Sequence, residues 1–205
     1  MSYIFLTGAP GSRWSNVAAN ISSSRTIDST DQSEERQYTH GVATHCGSYF
    51  DPGMEYGNWF NDISSRDAKQ NEAEFNKPFN GILNKSKYRI IKSHTFATGL
   101  EYLHETWSYA KIVLVYRSNS SCFDWWKEAG GFDIKYPNYA WYKNDANMKK
   151  QIALQNKHIK EFMKKHKLKW NVEDNEQLSY ALGIALPYGN PYQIYKDNDI
   201  KVAIL

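Results

Sequence analysis

The chain has 205 residues, enough for one domain with a sizeable buried core, and a formal charge of only +3. That balance carries no dominant nucleic-acid or membrane-surface footprint. Two cysteines, Cys46 and Cys122, are too few for a disulfide framework and make a reducing compartment the default.

The N-terminus lacks a basic region followed by a long apolar run, and no apolar stretch reaches the roughly 18 residues of a spanning helix. A soluble, cytoplasmic protein with no membrane partner is expected. His40, His45 and Cys46 have metal-ligand chemistry. However, His45 and Cys46 are adjacent and no fourth ligand stands at a recognisable spacing, so no metal is expected.

In chain order, Tyr3-Ile4-Phe5-Leu6-Thr7 reads as a short apolar strand. The segment Gly8-Ala9-Pro10-Gly11-Ser12-Arg13-Trp14-Ser15 then makes a Gly/Pro/Ser turn into a helix that runs to about Ser24. Such a turn delivers backbone N–H groups and the positive end of a helix dipole to one place, which suits an anion. A Walker loop, G-x-x-x-x-G-K-[ST], needs a lysine that reaches the phosphates. Gly8 and Ser15 fit its ends, but Arg13 and Trp14 stand in place of the second glycine and the lysine.

Arg25 to Asp28 is a candidate second strand, and residues 29 to 60 are polar, aromatic and Gly-rich, with a turn at Asp51-Pro52-Gly53. Trp59, Ile63, Phe75 and Phe79 predict a one-sided helix from Trp59 to Phe79. Lys87 to Lys92 reads as a strand that ends at Ser93-His94-Thr95. Leu100, Leu103, His104 and Trp107 predict a helix over Thr98 to Trp107. Lys111 to Tyr116 is continuously apolar and β-branched, as a strand covered on both faces of a parallel sheet should be. Arg117 follows it, and Asn119-Ser120-Ser121 start a helix that carries Phe123, Trp125 and Trp126 and ends at Gly130-Gly131. Aromatics are 15% of the chain, and Tyr136, Tyr139, Trp141 and Tyr142 either pack in the fold or wall a cleft. A long helix from Asn144 to Lys167 presents lysines to solvent. A helix over Val172 to Leu182, ending at Gly183, and a strand over Ile200 to Leu205 close the chain.

Strands that alternate with helices imply a single α/β domain over residues 1–205, with a central, mostly parallel β-sheet flanked by helices. Ligands of such sheets sit beyond the carboxyl ends of the strands. Three segments end there: Gly8 to Ser15, Lys92-Ser93-His94, and Arg117 to Ser121.

In this order the three segments resemble the sulfotransferases that use 3′-phosphoadenosine 5′-phosphosulfate (PAPS), and the resemblance implies a three-layer, P-loop-like fold. It covers the first fifteen residues and about 87 to 126. The family loop, Pro-Lys/Arg-Ser-Gly-Thr-Thr/Ser, binds the 5′-phosphosulfate, and Pro10 to Ser15 occupy its place. Either Arg13 supplies its cation, or Gly11-Ser12-Arg13-Trp14 stand for Gly-Thr-Thr-Trp. Lys92-Ser93-His94 resembles a Lys-Thr-His whose histidine is general base toward the acceptor and whose lysine contacts the transferring group. Lys111 to Arg117 resembles the strand whose terminal arginine holds the 3′-phosphate. The family serine eight residues after that arginine is here Trp125, which leaves Ser118, Ser120 or Ser121 to bind the phosphate.

What the resemblance implies is sulfuryl transfer from PAPS to a hydroxyl or amine of a small-molecule or glycan acceptor, leaving adenosine 3′,5′-bisphosphate. Such a transfer depends on alignment and charge stabilisation, with a neutral histidine as base near pH 7. A degenerate P-loop kinase and a non-catalytic binding protein that keeps the fold are the alternatives.

Overall fold

The structure is a computed structural model that describes residues 2–28, 38–40, 43–45, 48–49, 63–65, 67–76, 88–133, 144–187 and 199–205. In chain order its strands and α-helices are β1 (Ser2–Gly8), α1 (Trp14–Ser22), β2 (Tyr38–His40), β3 (Ala43–His45), β4 (Ser48–Tyr49), α2 (Ala68–Asn76) and β5 (Tyr88–Lys92). There follow α3 (Leu100–Thr106), β6 (Lys111–Tyr116), α4 (Asn119–Glu128), α5 (Asp145–Lys165), α6 (Asn175–Leu182) and β7 (Lys201–Ile204).

Tyr3, Ile4, Phe5 and Leu6 are all buried, because β1 lies inside the sheet and is covered on both faces. Successive side chains of a strand point to opposite faces. Tyr3 and Phe5 accordingly join Phe75 of α2, Leu100 and Leu103 of α3, and Ile159, Phe162 and Met163 of α5. Ile4 and Leu6 join Trp14, Val17, Ala18 and Ile21 of α1, and Leu178 and Leu182 of α6. The sheet is thus mostly parallel, open, and flanked by helices. β5 and β6 pair parallel to β1 on either side, the two-residue β4 pairs parallel to β5, and β7 runs antiparallel to β6. β2 and β3 form a separate antiparallel pair.

Several boundaries differ from the sequence expectation. Arg25 to Asp28 makes one parallel bridge, Ile27 to Tyr88, rather than a strand. Within the Trp59 to Phe79 span, α2 is preceded by a 3-10 turn at Ile63–Ser65, and the buried Asn71 amide donates to the Ile63 carbonyl at 2.9 Å. Before α3, residues His94–Thr98 form a 3-10 turn capped by Ser93, whose hydroxyl accepts from the Thr95 N–H. The last helix begins three residues later than expected. Asp174 caps it by accepting from the Gln177 N–H, and Val172 is held in a bridge to Val202.

Candidate anion-binding site

Parallel pairing sets Lys92 opposite Leu6 and Val115 opposite Gly8, so β1, β5 and β6 end on one edge of the sheet. There β1 passes into a tight turn closed by a hydrogen bond from the Ser12 N–H to the Ala9 carbonyl at 2.9 Å. Ala9 is buried against Cys122, Trp126, Met148 and Ile152, which ties the turn to α4 and α5. Gly11 has φ 77°, and a Cβ there would lie 1.8 Å from the Cys122 carbonyl oxygen, so only glycine lets the turn rest on α4. At Gly8 a Cβ would lie 2.5 Å from Ser12 Oγ and 2.9 Å from the Val115 oxygen. Ser12 is wholly buried, and its Oγ has no hydrogen-bond partner among the described residues.

Arg13 takes the left-handed conformation, φ 65°, at the N-cap of α1, and its side chain makes no capping bond. The backbone instead aims the guanidinium over the half-buried Trp125 ring, 4.7 Å from its centroid. From the end of β6, the Arg117 guanidinium lies 6.0 Å from the same centroid. An arginine from the N-cap of α1 and another from the end of β6 therefore meet at one indole of α4. Arg117 Nε also lies 3.3 Å from Asp199 Oδ2, and the two side chains are 13% and 37% exposed, so the pair stands at the rim.

The Arg117 carbonyl accepts from Asn156 Nδ2 at 2.9 Å, and the same nitrogen donates to Asn119 Oδ1 at 2.7 Å. This pins the end of β6 to α5. Ser118 caps α4: its Oγ accepts from the Ser121 N–H, donates to Ser121 Oγ at 2.8 Å and reaches Asp199 Oδ2 at 3.5 Å. Ser121 is thus part of a hydroxyl cluster beside Arg117. Burial pushes the Cys122 thiol up to about 12, so it is protonated at neutral pH and is no nucleophile.

On the other side of β1, Lys92 and His94 are buried, 3% and 5% exposed. The Ser93 N–H donates to the Leu6 carbonyl at 3.1 Å and Thr7 Oγ1 to the His94 carbonyl at 3.4 Å, which locks this strand end against β1. His94 Nδ1 lies 2.7 Å from Nε2 of the wholly buried Gln155 of α5.

The structure therefore gathers the expected segments along one sheet edge. Pro10, Gly11 and Ser15 stand at the turn and the first turn of α1, and Trp14 is 4% exposed, packed in the core beneath the loop. Tyr136, Tyr139, Trp141 and Tyr142, like Cys46 and Asp51 to Gly53, lie outside the described residues. Sequence reasoning passed over Trp125 as a binding partner, and it passed over Asn156, Asp199 and Gln155 altogether. The one available signal was at Asn156 and Gln155, polar residues at the core-facing phase of an otherwise apolar helix stripe. No helix among the described residues is long and apolar enough to cross a membrane. No protein-family model matches this chain, and no curated protein or solved structure matches it either.

Proposed function

We propose that this chain is a divergent PAPS-dependent sulfotransferase on a three-layer, P-loop-like fold, acting on a hydroxyl or amine of a small-molecule or glycan acceptor. The observation that carries the reading is the meeting of Arg13 and Arg117 at Trp125, on the edge that also holds Lys92 and His94. Two guanidiniums sharing one ring repel each other, and a bound dianion turns that repulsion into attraction. The buried Ser12 hydroxyl beneath the turn, unpaired among the described residues, fits a loop built around a polar ligand.

PAPS, when bound, supplies an activated sulfuryl group on an anionic leaving group. Arg13 and the backbone of Gly8 to Ser15 hold the 5′ end. Arg117, with Ser121 and its hydroxyl neighbours, holds the 3′-phosphate. Lys92 stabilises charge on the transferring group from a buried position, where a charge acts strongly. His94 accepts the acceptor's proton at Nε2. Trp14 packs into the core where a kinase loop carries its phosphate-reaching lysine, which favours the sulfotransferase reading over a P-loop kinase.

Thermal denaturation with added ligand tests this. Adenosine 3′,5′-bisphosphate at about 100 times its Kd is expected to stabilise the fold by about 2.7 kcal/mol, and Arg117→Ala to abolish the gain. Stabilisation by ATP with Mg²⁺ alone would sink the reading in favour of a kinase. No response to either ligand would sink it in favour of a binding protein that has lost the nucleotide.

A further inference from the structure

We propose that Gln155 is the positioning residue of His94, and that its side-chain amide has two working orientations. One presents Nε2 to the resting ring and the other presents Oε1 to the ring that acts as base. The proposal rests on the reading of His94 as the proton acceptor.

An amide nitrogen only donates, so with Gln155 Nε2 at 2.7 Å the His94 Nδ1 is the acceptor. The neutral ring then carries its hydrogen on Nε2. In that form Nε2 has no lone pair to offer. A base that works at Nε2 needs the other tautomer, with hydrogen on Nδ1, and Nδ1–H against an amide NH₂ sets donor against donor. Gln155 Oε1 is buried and has no hydrogen-bond partner among the described residues. A half-turn of the amide brings this oxygen to Nδ1–H with almost no change in shape. The turn is confined to the last side-chain bond. α5 itself is held by Ile159 in the core with Phe5, by Ile152 in the cluster around Ala9, and by the Asn156 bonds to Arg117 and Asn119.

Glutamine suits this position where other residues do not. A carboxylate would accept only, and an apolar side chain would offer Nδ1 neither a donor nor an acceptor. Gln155 and, from β1, Thr7 are uncharged at every pH, and the charged residue of the same strand end is Lys92. The proton transfer balances. The acceptor O–H bond breaks, its proton goes to Nε2, and the oxygen's electron pair forms the new bond to sulfur. The bisphosphate departs with the electron pair of the old S–O bond. The imidazolium keeps Nδ1–H on Oε1 until water takes the Nε2 proton.

Nitrogen-15 NMR of the full chain tests the proposal. With the ring neutral, Nδ1 is expected to be pyridine-type and coupled through the hydrogen bond to Gln155 Nε2. On protonation that coupling vanishes and both ring nitrogens become pyrrole-type. Gln155→Glu moves the neutral ring to Nδ1–H. Gln155→Met, close to it in shape, removes this partner of Nδ1 and lowers PAPS turnover about tenfold, with the bisphosphate affinity unchanged. A neutral ring without the coupling, or a tautomer that is the same in wild type, Gln155→Glu and Gln155→Met, overturns the proposal. If the tautomer responds as expected while turnover does not, Gln155 control of the ring stands and the base role of His94 falls.

Discussion

In the proposed function Arg117 would bind a phosphate while it is restrained by its neighbours. Its guanidinium is held near Trp125 and beside the Asp199 carboxylate at 3.3 Å, so an anion bound there would compete with a carboxylate already in place. Asp199 is 37% exposed, and an ion pair that wet contributes no more than about 1 kcal/mol. Asp199→Asn is therefore expected to tighten adenosine 3′,5′-bisphosphate binding by about two- to fivefold, with a steeper loss of affinity as salt is raised. Calorimetric titration at two salt concentrations measures both. Unchanged or weaker binding would mean that Asp199 positions Arg117 rather than competing for it. The place of Arg117 at the end of β6 was legible in the sequence, because the continuously apolar run before it marks a buried strand. Asp199 was not legible, since nothing in the spacing of the two residues couples them.

At the scale of elements, α3 and α5 are joined at their ends by charge. Glu101 in the first turn of α3 lies 2.9 Å from Lys165 Nζ and 3.0 Å from His166 Nε2, both at the end of α5. The acidic residue at a helix start and the basic residues at a helix end also suit the two dipoles. Burial by itself would raise the Glu101 carboxyl, but hydrogen bonds from Lys165 and His166 outweigh it and hold the group below its ordinary 4.5. A carboxyl lowered in the folded state contributes stability above its unfolded value, and that contribution is lost as pH falls through the folded one. Glu101→Gln is expected to cost about 0.5–1 kcal/mol near neutral pH, because the group is partly exposed. The difference from wild type should vanish well below 4.5. Urea midpoints for both proteins across that range decide it, and a gap that persists in acid would mean that packing, not charge, is lost. The expected span of α5, Asn144 to Lys167, lies close to the observed Asp145–Lys165. The start of α6 was misplaced at Val172, which the bridge to Val202 holds outside the helix, while Asp174 caps its true start.

For the whole molecule, the alternation of strands and helices carried the α/β architecture, and apolar strands ending in polar groups marked the edge that holds the candidate site. What remained hidden was tertiary: the antiparallel direction of β7, the indole shared by two arginines, and a glutamine 61 residues from its histidine. Local period and spacing hold no information on such pairings. The opposite end of the sheet gives the sharpest contrast. Arg89, 2% exposed, donates from Nε to Asp28 at 3.0 Å and from Nη1 to Asn76 Oδ1 at 2.6 Å, and Asn76 Nδ2 donates to the Tyr3 hydroxyl at 2.9 Å. This buried network closes the edge remote from the Gly8, Lys92 and Arg117 ends. Removing one partner of a buried ion pair leaves the other charge uncompensated, at a cost of about 3–5 kcal/mol. Arg89→Met should therefore lower the urea midpoint far more than any substitution at Arg13 or Arg117. Sites well separated with no shared partner act independently. The Arg89→Met protein, at a temperature where it is still folded, should then bind the bisphosphate with wild-type affinity, whereas Arg117→Ala should keep its stability and lose the ligand. Loss of binding in the Arg89 variant would show that the two ends of the sheet are coupled, and that anion binding draws on the fold as a whole rather than on one edge.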